Sequence, residues 1–414
     1  MLVERGDYDR AASVLALAKK QREQLTDPSI QGRVDWQVAS SNARKIGGAE
    51  PLAQMDRAIA SLRATTNGRD AATYCLLERA VLRRNRGDAL GSIADAEEAL
   101  TVLDLRPSLR PTAVLTRGLI ADSKRILGKS QEAIKLYEIA LADMAALGRG
   151  DTQAARITRT DMASAYAMAG QRLQAFRVFD AVAQKTPPNT QPSFGPMMVN
   201  YAKAMADIGR VEPSKRMFDI ALRDANASKV SRAIGFTSLG AALTACAGEE
   251  ADRCESHLMA ARNSLANGLP ANHSAFGTMK LVAGEIAWLR GNSDAARIAW
   301  SDANDHFASA SDGNIVQIRA LSWLARAESA LGKSAEANRH ADAAVAMARA
   351  SLNGFRTSEW LGSALLAQAI VRKSDGAADN ARQSLAEAVT SLRETVGEEA
   401  LSFQEAQKLS LSQR

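Results

Sequence analysis

Residues 284–303, GEIAWLRGNSDAARIAWSDA, and residues 121–140, ADSKRILGKSQEAIKLYEIA, carry one set of landmarks at one spacing. Each opens on a small residue (Gly284, Ala121) and reaches a glycine seven residues later (Gly291, Gly128). Alanine follows five residues past that glycine (Ala296, Ala133), an aromatic at nine (Trp300, Tyr137) and alanine again at twelve (Ala303, Ala140). Working outward, the glycine recurs as Gly6, Gly48, Gly87, Gly128, Gly170, Gly209, Gly248, Gly291, Gly332 and Gly376, at spacings of 39 to 44 residues. The residue five positions on is small in nine of the ten cases, and the residue twelve positions on is alanine in nine, with Val182 the exception. A self-similar period near 40 residues marks one unit copied many times, the signature of a solenoid.

The landmarks dictate the unit. Glycine closes a helix in the left-handed conformation, so each marks a tight bend between two antiparallel helices. Small residues seven apart stay on one helical face and let a neighbouring backbone approach. The helix before each bend repeats the device with Ser41, Ala80, Ala121, Ala163, Ala202, Ala241, Gly284, Ala325 and Ala369. Turn-forming clusters fall where the second helix should stop: TDPSIQG from Thr26, TTNGRD from Thr65, RPSLRP from Arg106, ANGLPANH from Ala266, SDGN from Ser311 and LNGF from Leu352. The spacing therefore predicts an all-α chain, an α-solenoid of about ten stacked helix-turn-helix units wound as a right-handed superhelix.

These residues resemble the tetratricopeptide repeat. Gly6, Tyr8 and Ala11 match its G-x-Y-x-x-A turn, and Tyr137, Phe179, Phe218 and Trp300 match its second-helix aromatic. Arg57, Ala96, His257 and Ala341 stand where other units would carry that aromatic. The period averages about 41 rather than the usual 34. That length is similar to the variant in kinesin light chains and in regulatory regions of bacterial signalling proteins, including serine/threonine kinases. The resemblance implies a superhelix whose concave face, lined by the first helix of each unit, holds peptides or partner helices.

Composition fits this reading. The 414 residues are 46% hydrophobic but only 5% aromatic, so the interior is built of alanine, leucine and valine between closely spaced helices. Repeats that touch only their neighbours grow as one continuous body, so residues 1–414 are read as a single solenoid. The prolines of KTPPNTQPSFGP, residues 185–196, interrupt regular helix and are read as an ordered loop, with a hinge as the alternative. With its first bend at Gly6, the chain opens halfway through a unit, leaving Leu2, Val3, Val14 and Leu15 for a partner, a second copy or a missing upstream segment to cover. Residues 398–414 space Ala400, Phe403, Ala406 and Leu409 three apart, as an amphipathic closing helix does.

Other patterns narrow the function. The N-terminal twenty residues carry Glu4, Arg5, Asp7, Asp9 and Arg10, so no signal-peptide core is present, and no apolar run reaches the length that spans a bilayer. Cys75, Cys246 and Cys254 lack metal-ligand spacing and read as reduced thiols of a cytoplasmic protein, although Cys246 and Cys254 flank a bend. Net charge is +6, spread along the chain without the aromatic interleaving of a nucleic-acid reader. His257, His273, His306 and His340 fall in different units, and neither phosphate-loop, nucleophile-elbow nor kinase motifs occur, so neither enzyme, cofactor nor metal is expected. Function is then assigned to the concave face, six and three residues before each glycine. The expected groove residues are Asn42, Lys45, Arg84, Asp122, Arg125, Ser164, Lys203, Glu285, Trp288 and Arg326. Lys45, Arg84 and Arg125 form a basic stretch suited to an acidic protein segment, since arginine grips a carboxylate through two parallel bonds. Trp288 is the anchor expected if its ring is exposed. The leading expectation is a non-catalytic scaffold binding a protein or peptide. Its alternative is a sensor or regulatory region of a bacterial signalling protein, kinase-like or transcription-regulator-like, without its output domain.

Overall fold

The periodic glycines sit at the bends. The computed structural model describes residues 8–45, 50–185, 194–266, 269, 271–309 and 314–412. Gly87, Gly128, Gly170, Gly209, Gly291, Gly332 and Gly376 all have positive φ, between 71° and 89°. Each bend satisfies the carbonyls left over at a helix end: Gly128 N–H donates to Arg125 O at 3.0 Å and Lys129 N–H to Lys124 O at 2.9 Å. Gly6 and Gly48 lie outside the described residues.

Twenty α-helices follow, with no strand among the described residues. They are α1 (Tyr8–Gln21), α2 (Pro28–Lys45), α3 (Glu50–Arg63), α4 (Arg69–Asn85), α5 (Ala89–Leu103), α6 (Arg110–Ile126) and α7 (Ser130–Ala146). The chain continues with α8 (Gln153–Met168), α9 (Arg172–Gln184), α10 (Phe194–Asp207), α11 (Val211–Ser228), α12 (Ser231–Ala247), α13 (Ala251–Leu265) and α14 (Ser274–Leu289). It closes with α15 (Ser293–Ser309), α16 (Asn314–Ala330), α17 (Ser334–Ala350), α18 (Glu359–Ser374), α19 (Ala378–Thr395) and α20 (Leu401–Leu411). Consecutive helices pack as hairpins, making an α-solenoid of helical pairs. No helix among the described residues is long and apolar enough to cross a membrane.

The small positions do what the spacing requires. Ala133, Ala175, Ala296, Ala337 and Ala381 are fully buried, as are Ala80, Ala121, Ala163, Ala202, Ala325 and Ala369 on the facing helices. Where serine replaces alanine its hydroxyl is satisfied inside the hairpin, Ser214 Oγ donating to Ala202 O at 2.7 Å. Gly284 is required by Trp300: a Cβ on it would sit 2.3 Å from the indole Nε1, which donates to Leu281 O at 3.0 Å. Tyr137, Phe179, Phe218 and Trp300 are each at most 1% exposed.

Two hairpins correct the register read from the sequence. Between α12 and α13 the left-handed residue is Glu249 (φ 58°), not Gly248. Gly248 is the C-cap of α12, at φ −87°, with its N–H bonded to Thr244 O. Counting from Glu249 puts Cys254 at the small position, Leu258 at the aromatic position and Ala261 at the alanine position, all buried. His257 therefore does not replace the aromatic. Between α2 and α3 the buried residues are Met55 and Ala58, while Arg57 and Ala60 are exposed, a slip of two residues. Met55 takes the aromatic site there.

The loop expectations are met at 65–70 and 106–111, where single 3-10 turns lead into α4 and α6. TDPSIQG is a correction: Pro28 opens α2, and Asp27 caps it by accepting from Ser29 N–H at 2.8 Å. Most of residues 185–196 lie outside the described set, although Pro196 falls within the first turn of α10. The closing helix is α20, with Phe403 and Ala406 buried as its spacing demands.

The chain divides into two compact units, Met1–Thr158 and Arg159–Arg414, with the division inside α8. In the first unit α1 leaves Val14 and Leu17 more than half exposed; Leu2, Val3 and the side chain of Leu15 lie outside the described residues. In the second unit, segments nearly 190 positions apart meet. Gly170 O accepts from Glu359 N–H at 2.9 Å, Gln171 Nε2 donates to Thr357 O at 2.5 Å, and Trp360 Nε1 donates to Met168 O at 3.0 Å. The α8–α9 bend is thus clasped by the segment leading into α18, and Gly209 abuts Glu399 in the same way.

The cysteines are also corrected. Cys246 and Cys254 form a disulfide with Cα atoms 5.3 Å apart, leaving only Cys75 as a free thiol. The shifted bend explains it: the pair stands three residues before and five after Glu249, facing across the hairpin. Burial pushes the Cys75 thiol up to about 12, so it is chemically quiet. Disulfides belong to oxidising compartments, so the thiol argument for a cytoplasmic address falls away.

Candidate functional site

The first helices of the hairpins carry the expected groove residues, and the structure shows what each one touches. In the first unit, Arg84 Nη1 meets Asp122 Oδ2 at 2.6 Å, and Arg125 grips Asp122 Oδ1 from the next turn of α6, its Nε at 3.1 Å. Tyr137 Oη points at the same carboxylate oxygen from 3.4 Å. Three expected lining residues are therefore one cluster, two guanidinium groups closing on one carboxylate, each between 15% and 25% exposed at the side chain. Asn42 bonds Gln54 Oε1 at 3.1 Å, and the side chain of Lys45 lies outside the described residues.

A second ion network on α4 and α5 went unread in the sequence. Buried Asp95 receives Arg79 and Arg83, and Arg79 also reaches Asp56. Spacing did signal it, because Arg79 and Arg83 are four apart on one helical face.

In the second unit charge is enclosed between the helices. Arg172 pairs with Asp207 at 3.1 Å and Glu359 at 3.4 Å, and lies 4.7 Å over the Trp360 ring. Glu285 is buried, with Arg319 Nη2 at 2.9 Å. Burial pushes the Glu285 carboxyl above its usual range while Arg319 opposes the shift. Its Oε1 lacks an aligned donor, so this pair is held by charge more than by a linear hydrogen bond. Ser164 donates back to Thr160 O on its own helix.

Trp288 is half-buried rather than a free anchor. Its ring lies 5.8 Å from Trp300 and 6.4 Å from Trp323, part of a three-indole cluster packed on the core of α14 to α16. Arg326 stacks 4.5 Å over Trp323 and takes both oxygens of Glu405 from α20. Two expected lining residues thus join one cluster, which the closing helix covers in part.

Lys203 differs from the rest. It is exposed and makes no ion pair or hydrogen bond among the described residues. The surrounding protein pushes its pKa down, opposed by Asp207 and reinforced by the field of Arg172 and Arg319. It borders a cleft of about 690 Å³ between α10, α11, α12 and α14, lined chiefly by apolar surface with Val199, Phe236, Leu239 and Leu243.

The histidines are structural. His273 Nδ1 accepts from Ala275 N–H at 3.1 Å to cap α14, His306 Nε2 donates to His273 O at 3.0 Å, and His340 pairs with buried Glu328 at 2.7 Å. Among the described residues no group of three or more His, Cys, Asp or Glu side chains is placed to hold a metal.

No family model matches the sequence, and no curated protein matches it. Solved structures do. A Rap protein complexed with Competence and Sporulation Factor superposes with a TM-score of 0.56 at 12% identity, covering 83% of this chain and 99% of the other. A tetratricopeptide repeat protein from Parabacteroides merdae gives 0.45 at 14% identity, covering 71% and 98%. The APC/C assembly Cut9-Hcn1 gives 0.48 at 14%, covering 99% and 74%. The fold is that of tetratricopeptide-repeat proteins.

Proposed function

We propose that this chain is a non-catalytic scaffold that binds a protein or peptide along the face formed by the first helices of its hairpins. The observation that carries the reading is the cluster of Arg84, Asp122 and Arg125. Two arginines on neighbouring first helices close on a single carboxylate, so Asp122 orders both guanidinium groups on one face. An acidic side chain of the partner pairs with these arginines at the groove surface, with Asp122 holding both guanidinium groups in place beforehand. The Rap protein of the same fold, complexed with Competence and Sporulation Factor, supports a binding role over a catalytic one.

The test is capture of partners from the source cells by the wild-type protein and two variants, read by quantitative mass spectrometry. Charge reversal of both Arg84 and Arg125 to Glu should remove an acidic partner. Asp122→Asn removes the shared carboxylate and should retain the partner or hold it more tightly. A partner set unchanged in both variants would overturn the reading.

A further inference from the structure

The cleft of the second unit has a composition that selects its occupant. Its walls come from the first helices α10, α12 and α14 together with the end of α11. It stays open because its lining is small where helices cross: Ala221, Ala225, Ala233 and Gly240 contribute almost no side chain. Gly240 cannot enlarge, since a Cβ would lie 2.7 Å from the buried Phe218 ring. A cavity of about 690 Å³ lies within the roughly 300–1,000 Å³ typical of small-molecule sites.

Its charged groups are few and unbalanced. Lys203 on α10 and Arg232 in the first turn of α12 are both exposed, and neither has a carboxylate partner among the described residues. Arg232 instead lies 5.7 Å from the centre of the Phe236 ring. The one acid at the rim is Asp224 on α11. Elsewhere in this unit, partly buried arginines have matched acids: Arg172 of α9 with Asp207 and Glu359, and Arg319 and Arg326 of the first helix α16 with Glu285 and Glu405. Lys203 and Arg232 are left without a paired acid among the described residues, at the mouth of an apolar cleft.

We propose that this cleft binds a small amphipathic monocarboxylate, its apolar body between Phe236, Leu243 and Val199 and its carboxylate on Lys203. The apolar body supplies the affinity by leaving water, and the charge sets orientation and discriminates against neutral analogues. Lys203 feels Arg172 and Arg319 as well as Asp207, so a bound anion lowers the electrostatic energy of the site. The inference goes beyond the scaffold reading, stands on the second unit alone and is independent of Arg84 and Arg125.

The test uses the full chain and calorimetric titration with decanoate, decanol, and the dipeptide acetyl-Leu-Phe with a free or an amidated C-terminus. The expected result is that a carboxylate binds about tenfold more tightly than its neutral counterpart. Binding of decanoate alone identifies a free organic acid as the occupant. Preference for the free-ended dipeptide alone identifies the end of a peptide chain, which overturns the small-molecule assignment. Lys203→Met should erase the discrimination while Lys203→Arg keeps it, and Ala233→Trp should block the cleft to every probe; far-UV circular dichroism verifies that each variant is folded. Equal binding of charged and neutral probes, or discrimination that survives Lys203→Met, would overturn the proposal.

Discussion

Glu249 occupies the left-handed position that glycine holds in seven other described bends, and this makes its replacement a sharp test of the repeat geometry. A non-glycine residue there costs about 1–2 kcal/mol. Glycine introduces extra freedom in the unfolded chain worth roughly 0.5–1 kcal/mol. The side chain of Glu249 is exposed, so little contact is lost with it. Glu249→Gly should therefore stabilise the α12–α13 hairpin by about 0.5–1 kcal/mol, a rise in Tm of roughly 1–4 °C for a body of this size. Two controls fix the interpretation. Gly291→Ala forces alanine into φ 74° with no atom within 4 Å of its Cβ, so its cost of about 1–2 kcal/mol is purely backbone. Gly248→Ala keeps φ at −87° and so carries no left-handed penalty; its cost is only the small shift needed of Val211 Cγ1 and Lys215 Cε, each 3.1 Å from the new Cβ, and should be less. Thermal melting by circular dichroism, with amide exchange across α12–α13 and α14–α15, reads all three. A lower Tm for Glu249→Gly, or a penalty for Gly248→Ala equal to that of Gly291→Ala, would refute the shifted bend.

Thiol titration should find no reactive group in the native protein, one after unfolding without reductant and three after unfolding with it; three without reductant would remove the Cys246–Cys254 bond. Gly284→Val should destabilise α14–α15 by about 1–3 kcal/mol and redshift tryptophan emission, because the new side chain drives Trp300 out of its seat. His257 is held below its ordinary pKa by burial and by Arg253, so the unfolded chain binds its proton more tightly than the folded one. Stability should therefore fall as pH drops through about 6.5, and His257→Gln should flatten that part of the profile; an unchanged profile would show that burial leaves His257 unperturbed.

Much of the fold is legible because a bend and a close helix crossing each leave a residue type that little else satisfies. Gly128 with Ala121, Ala133 and Ala140 states one hairpin completely. The α12–α13 bend was misread because Gly248 stands one residue before it, and a period with natural scatter of a few residues hides a slip of one. Cys246 and Cys254 were misread for the same reason, since only the shifted count places them opposite each other. The sequence groups Arg84 and Arg125 in a basic stretch but does not bring Asp122 between them. The missed signal is that the position three before one bend faces the position six before the next. The clasp between Gly170 and the segment at Thr357–Trp360 leaves no local pattern, because it depends on how tightly five successive hairpins curve within the second unit.

Amide exchange on the protein with and without a captured partner tests the scaffold reading most directly. New protection is expected on the first helices α4 and α6, with the second helices α5 and α7 unchanged. Protection confined to the second helices would contradict it.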